Sequence, residues 1–196
     1  MPEKLSPQEQ EHLLTVAREA VTAIAHNQPL PNLDPERFTP RLNANGASFV
    51  TLTLYGQLRG CIGTLEAYQP LVLDVQKRAV QAASEDPRFT PVTPEEADKL
   101  TIEVSRLSNP EPLEYNNPQD LAAKLRPGID GVIISEGHRR ATFLPQVWDE
   151  LPDPKLFLAQ LCRKMGCSPN YWKHKKLEVQ IYHVEGFSEK PQERGV

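Results

Sequence analysis

The chain has 196 residues, a formal net charge of −4 and a pI near 5.8, with 39% hydrophobic and 24% charged residues. That length buries a core without disulfides or a structural metal, and the composition excludes disordered and fibrous classes. The acidic balance gives no global attraction to nucleic acid or anionic membranes, so any such binding would have to be local. The 19 prolines are roughly twice the usual share and predict many short elements with helix starts of locked φ.

The N-terminal Met1-Pro2-Glu3-Lys4 leads straight into a polar helix start, and nowhere do ~18 apolar residues follow one another. The expectation is therefore no secretory leader, no membrane span and a cytoplasmic location. Ser6-Pro7-Gln8-Glu9 reads as a capping box, and Leu13, Ala17, Val21 and Ile24 continue at helical spacing to about His26. The run from Pro29 to Pro40 has no periodicity and reads as an extended connection. Strands are expected at about 47–55 and 58–65, turning at Tyr55-Gly56-Gln57. A helix from Pro70 to Ser84 follows, then a capped start at Thr93-Pro94-Glu95-Glu96 and a strand at about 101–107 with Ile102 and Val104 inside.

Asn109 to Asn117 reads as turns, followed by a short helix over Pro118–Leu125 and a hairpin of strands near 131–135 and 140–144. Pro145–Leu151 and Pro154–Gly166 read as helices, with Gly166 as C-terminal cap, and Val179–Phe187 as the closing strand. Hairpins and helices are interspersed without a strict strand-helix-strand rhythm, which predicts an α+β fold with a largely antiparallel or mixed sheet flanked by helices. The expected organisation is one domain over 1–196. A helix and connection run to residue 46, a main lobe carrying the motif hairpin spans about 47–187, and a polar tail begins at 188.

The segment Leu58-Arg59-Gly60-Cys61-Ile62-Gly63 is the leading candidate for a working site. Strand alternation puts Arg59, Cys61 and the bare backbone of Gly63 on one side, and Leu58, Gly60 and Ile62 on the other. A guanidinium beside a thiol favours the thiolate, the form that acts as nucleophile or metal ligand. Two glycines within four residues weaken a strand and call for a bulge or a close approach of backbone or ligand. Against this, free cysteine is among the most buried residue types and more often packs as a small hydrophobe.

Leu58–Gly63, followed by Asp86-Pro87-Arg88-Phe89, Ile102-Glu103-Val104-Ser105 and Ala141-Thr142-Phe143-Leu144-Pro145-Gln146-Val147, resembles the AMMECR domain, protein A of the AmmeMemoRadiSam system. The resemblance runs from about Leu13 to Phe187. It implies an α+β fold with an antiparallel sheet in a larger lobe and a second, smaller lobe. It further implies association, at least genetic, with a MEMO-type protein resembling dioxygenases and with a radical SAM enzyme. It supplies no established reaction, and the importance attached to the family's motif maps here onto Arg59, Gly60, Cys61 and Gly63. This chain departs by carrying Arg106 where family members often have an apolar residue.

Asp86 and Arg88 flank a proline in a helix-to-loop turn. A structural turn is the favoured reading, and the functional one has Arg88 presenting its fork to a small anionic ligand near Cys61. Glu103 must face the side of its strand opposite Ile102 and Val104, toward solvent or toward Arg59 or Arg88. It is the first choice for a carboxylate that orients Arg59 or exchanges protons. Three cysteines, an odd number, argue for reduced thiols, and at most one pair can bridge. Cys162 falls at helical spacing with Leu158, Leu161 and Met165 and reads as core, while Cys162 and Cys167 lack the further ligands a zinc site needs. The dispersed histidines form no metal motif, and His183 reads as a hydrogen-bonded sheet histidine.

Three functions compete. The leading one is a binding or enzymatic component of the three-protein system. There Cys61 would be nucleophile or redox thiol, Arg59 would stabilise the thiolate or an oxyanion, and Glu103 would orient or exchange protons. Gly60, Gly63, Asp86 and Arg88 would form the binding surface. The second is a non-catalytic interaction module in which the motif maintains a hairpin. The third is an RNA-binding module using Tyr171-Trp172-Lys173-His174-Lys175-Lys176, but one short basic cluster on an acidic chain gives no expectation of nucleic-acid binding. The sequence identifies no cofactor and no metal.

Overall fold

The structure is a computed structural model that describes residues 4–190. Met1-Pro2-Glu3 and the end of the polar tail, from 191 onward, lie outside the described residues. The described residues divide into two compact units, 4–107 with 185–190, and 108–184.

In the first unit, Ser6 accepts from the Glu9 amide while the Glu9 carboxylate accepts from the Ser6 amide, so the expected capping box opens α1 (Pro7–Ala25). The Pro29–Pro40 connection is less extended than its composition suggests. Asp34 caps a 3₁₀ turn over Pro35–Arg37, and Thr39 caps α2 (Pro40–Asn43). The hairpin consists of β1 (Asn45–Leu54) and β2 (Gln57–Gly63), joined through Tyr55 and Gly56 at φ of 51° and 81°. After β3 (Gln69–Pro70) come α3 (Leu71–Ser84), α4 (Pro94–Ala97) and β4 (Leu100–Leu107).

The second unit contains β5 (Glu111–Pro112), α5 (Pro118–Lys124), β6 (Gly131–Glu136), β7 (Arg139–Phe143), α6 (Pro154–Lys164), α7 (Tyr171–His174) and β8 (Glu178–Tyr182). Pro145–Asp149 is a 3₁₀ turn rather than the expected α-helix. The expected closing strand is two strands. β8 runs with β6 as far as the Gly131–Tyr182 pair, and β9 (Val184–Ser188) then joins β4 in the first unit's sheet. At the break, His183 donates its amide to Ser108 Oγ and accepts from the Ser108 amide, so its backbone groups are satisfied outside both ladders. Its ring meets the buried Asp130 at 3.1 Å, and the Arg126 guanidinium also binds that carboxylate.

The first sheet runs in the order β2-β1-β4-β9, with β3 on β1, and the second in the order β5-β8-β6-β7. The pairings of β1 with β2, β3 and β4 are antiparallel, as are those of β6 with β7 and β8, and the fold is α+β. In the first unit Val50, Leu52, Ile102 and Val104 are completely buried beneath α1 and α3, which present Leu13, Ala17, Val21, Val75 and Ala79. A fully buried carboxylate, Asp74 of α3, ties the helix to β1. It accepts from the Ser48 amide at 2.9 Å, the Ser48 hydroxyl at 2.7 Å, Gln69 Nε2 at 2.9 Å and the Arg78 guanidinium at 3.0 Å. The second unit has its own core around Leu121, Val132, Ile134, Leu158 and Leu161, with Trp148 stacked on Phe157 at 3.7 Å. No helix among the described residues is long and apolar enough to cross a membrane.

Candidate functional site

β2 is the outer strand of its sheet, so every second residue turns an unpaired amide and carbonyl outward. Cys61 is such a residue, and the turn after α3 covers it. Asp86 Oδ2 accepts from the Cys61 amide at 2.8 Å, and Arg88 Nη2 donates to the Cys61 carbonyl at 3.3 Å. Asp86 and Arg88 are joined by two side-chain bonds at 2.7 and 2.9 Å, and the Arg88 amide donates to Asp86 as well. The pair thus occupies the strand edge where a further strand would pair. The hydrogen bond from the Arg88 side chain, with those from the Cys61 and Arg88 amides, holds the Asp86 carboxyl well below the usual carboxylate range although burial opposes this. The fork read from sequence as a site for a small anionic ligand is turned onto Asp86 through Nε and Nη2, while the Arg88 side chain stays half exposed.

Arg59 has a different partner from the one its strand position suggests. Leu52 pairs with Gly60 and Thr53 with Leu58, so Arg59 is left unpaired in a bulge. The bulge brings Leu58 round to the Thr53 side, against the simple alternation that placed it with Gly60 and Ile62. Arg59 reaches Glu96 with a two-point contact, both bonds 2.9 Å, and donates to the Thr90 and Pro91 carbonyls at 2.9 and 3.3 Å. Its guanidinium also lies 5.9 Å from the Phe89 ring centre. The Arg59 bonds lead among the causes that hold the Glu96 carboxyl below its ordinary value. Arg59 is therefore a staple between β2 and the 89–96 segment, and Glu96, not Glu103, orients it. The signal for Glu96 was present as the third residue of the Thr93 capping box, which explained it locally and hid its second partner.

The two glycines have structural reasons. A Cβ on Gly60 would overlap the backbone carbonyl of Ala82, so its absence lets α3 approach the strand. A Cβ on Gly63 would overlap the ring of Phe49, its cross-strand partner, which occupies that space.

One polar group of the motif is left facing outward. Cys61 pairs with Thr51 and Thr51 with Glu103, so the three side chains form a row across β2, β1 and β4 on the face opposite α1 and α3. The half-buried Cys61 thiol lies 3.2 Å from Thr51 Oγ1. Exposed Glu103 accepts from Ser105 Oγ at 3.5 Å, and a Cβ on Gly186 of β9 would come within 3.9 Å of both side chains. This arrangement supplies a thiol, two hydroxyls and a carboxylate. Among the described residues no group of three or more His, Cys, Asp or Glu is disposed to hold a metal.

Other sequence candidates are placed as follows. Trp172 is buried, and the half-buried Tyr171 bonds Glu136 through its hydroxyl at 2.6 Å. Arg139 does join Tyr171, lying 5.3 Å from its ring centre, but is paired with Glu136. Arg106 pairs with Glu185 at 3.3 Å. A cavity of about 500 Å³ in the second unit is lined by Leu113, Tyr115, Lys176, Leu177 and Val179, and no motif residue borders it.

The Asp86 clamp yields a prediction. Asp86→Ala strands the Cys61 amide and is expected to cost about 1–3 kcal/mol in urea unfolding. Because the folded pKa is depressed, the contribution is complete above the unfolded value of about 4 and is lost as pH falls below it. The stability curve of Asp86→Asn should accordingly be flatter than wild type on the acid side.

The AMMECR1 family model matches residues 14–187. A protein of Thermofilum pendens is 38% identical over 95% of this chain and 92% of its own length, and one of Thermococcus gammatolerans is 40% identical over 91% and 89%. The crystal structure of the uncharacterized protein PH0010 from Pyrococcus horikoshii superposes with a TM-score of 0.79 at 34% identity, covering 97% of this chain and 96% of that one. The chain belongs to the AMMECR1 family.

Proposed function

We propose that this chain is a binding component acting with a MEMO-type protein and a radical SAM enzyme, and that the row Cys61–Thr51–Glu103 is its contact surface. One observation carries this reading. Arg59, Gly60, Gly63, Asp86 and Arg88 are committed to holding β2, and the polar groups left outward form a row in register across three strands. With Arg88 bound to Asp86 and Glu103 exposed, the row favours a partner segment that brings donors or a cation over a small anionic ligand. A cytoplasmic setting accords with three free thiols.

The test is titration of the full chain with each purified partner. Glu103→Gln and Thr51→Val should each weaken binding about tenfold while leaving the unfolding midpoint near wild type. Unchanged affinity in both, or binding to neither partner, would sink the proposal.

A second reading, thiol chemistry at Cys61, draws on its half-buried sulfur and on the Arg88 guanidinium, which donates to the Cys61 carbonyl at 3.3 Å. It requires Cys61 to be alkylated at pH 7 faster than a small thiol, and an equal or slower rate rules it out.

A further inference from the structure

Helix α6 ends in a Schellman turn. The Gly166 amide donates to the Arg163 carbonyl and the Cys167 amide to the Cys162 carbonyl, both at 2.9 Å, with Gly166 at φ 82°. In this turn a side-chain contact commonly forms between the residues at the ends of the longer bond, and here both are cysteines. The 2.9 Å bond caps their Cα separation at roughly 6.8 Å, within reach of a disulfide. Electrostatic coupling between the two thiols agrees with that proximity.

The two sulfurs differ in access. Cys162 is completely buried, whereas Cys167 is half-buried and accepts a bond from Arg139 Nη1 at 3.0 Å. Arg139 is held in place by Glu136 at 2.7 Å and Tyr171 at 3.2 Å, so a fixed cation rests beside the sulfur, near where negative charge would develop on the oxygen leaving a peroxide.

We propose that Cys167 is an oxidation site for small hydroperoxides and that Cys162 is its resolving thiol, closing a reversible disulfide at the end of α6. The Cys167 sulfur attacks the peroxide, forming an S–O bond as the O–O bond breaks, and the departing oxygen takes a proton to leave as water or an alcohol. The Cys162 sulfur then attacks Cys167, the S–S bond forms, and the sulfenic oxygen leaves as water with the Cys162 proton. The two thiols lose two electrons to the peroxide, and a dithiol reductant restores them. Burial pushes the Cys162 thiol up, so the second step should accelerate as pH rises.

Trypsin cuts after Arg163 and Lys164, between the two cysteines, so the disulfide is read as a crosslink between peptides 156–163 and 165–173. The full chain is treated with stoichiometric hydrogen peroxide, and the remaining thiols are alkylated before digestion. The expected result is that crosslink with a loss of about 2 Da, reversed by dithiothreitol, with Cys61 still alkylated. Cys167→Ser should abolish it. Cys162→Ala should leave Cys167 as a sulfenic acid trapped by dimedone, and Arg139→Gln should slow oxidation at least threefold. If Cys162→Ala does not fold, the wild-type crosslink decides alone. Absence of the crosslink, or oxidation of Cys167 no faster than of Cys61, overturns the proposal.

Discussion

Asp74→Ala is expected to destabilise the protein by about 3–5 kcal/mol, read as a lower urea midpoint. The cost comes less from the lost bonds than from what they leave behind. The Arg78 side chain is only 7% exposed, and without Asp74 its charge stays buried with Gln81 and Tyr68 as neutral acceptors. The Ser48 amide and hydroxyl lose their acceptor in the same step. Adding Arg78→Met to Asp74→Ala should recover part of the loss, because a buried charge is then removed with its partner. Two substitutions whose costs simply add would show that the pair is not coupled. Asp74 also bears on the site, since Ser48 lies on β1 three residues before Thr51, and a shift of α3 against that strand would disturb the Cys61–Thr51–Glu103 row.

The second large effect is expected at Gly60. An alanine there meets a backbone carbonyl, Ala82 of α3, which cannot swing aside as a side chain can. Either the helix or the strand must move, at a cost of about 3 kcal/mol, the upper part of the range for overpacking, and valine should cost more. Gly63→Ala is the control. Its obstacle is the Phe49 ring, so the loss should be smaller and should be partly relieved by Phe49→Leu. Gly60→Ala should show no such rescue by any side-chain truncation on α3. Equal stabilities of Gly60→Ala and wild type would remove the close approach as the reason for this glycine. Loss of partner binding in a folded Gly60→Ala variant would place the effect in strand position, since Gly60 points toward α3 and away from the row.

The elements themselves were legible in the sequence wherever their cause was local. Ser6 and Glu9 announced the start of α1, Tyr55-Gly56 the hairpin, and Gly166 the end of α6, because caps and turns are satisfied within a few residues. Strand period alone put Ile102 and Val104 inside and Glu103 outside. Three decisions belonged to the tertiary structure. The bulge at Arg59 and its pairing with Glu96 depend on a contact 37 residues apart, and no local pattern encodes it. Asp86 reaches the Cys61 amide 25 residues away only because β2 lies at a sheet edge. The division of Val179–Phe187 at His183 was hidden because both halves have strand character, and only their different partners, β6 and β4, separate them. Sequence alone thus determined the locally capped helices and the main strands, and it singled out Leu58–Gly63 as the candidate segment. Packing decided that most of those residues hold the strand, leaving the Cys61 thiol, with Thr51 and Glu103, facing outward.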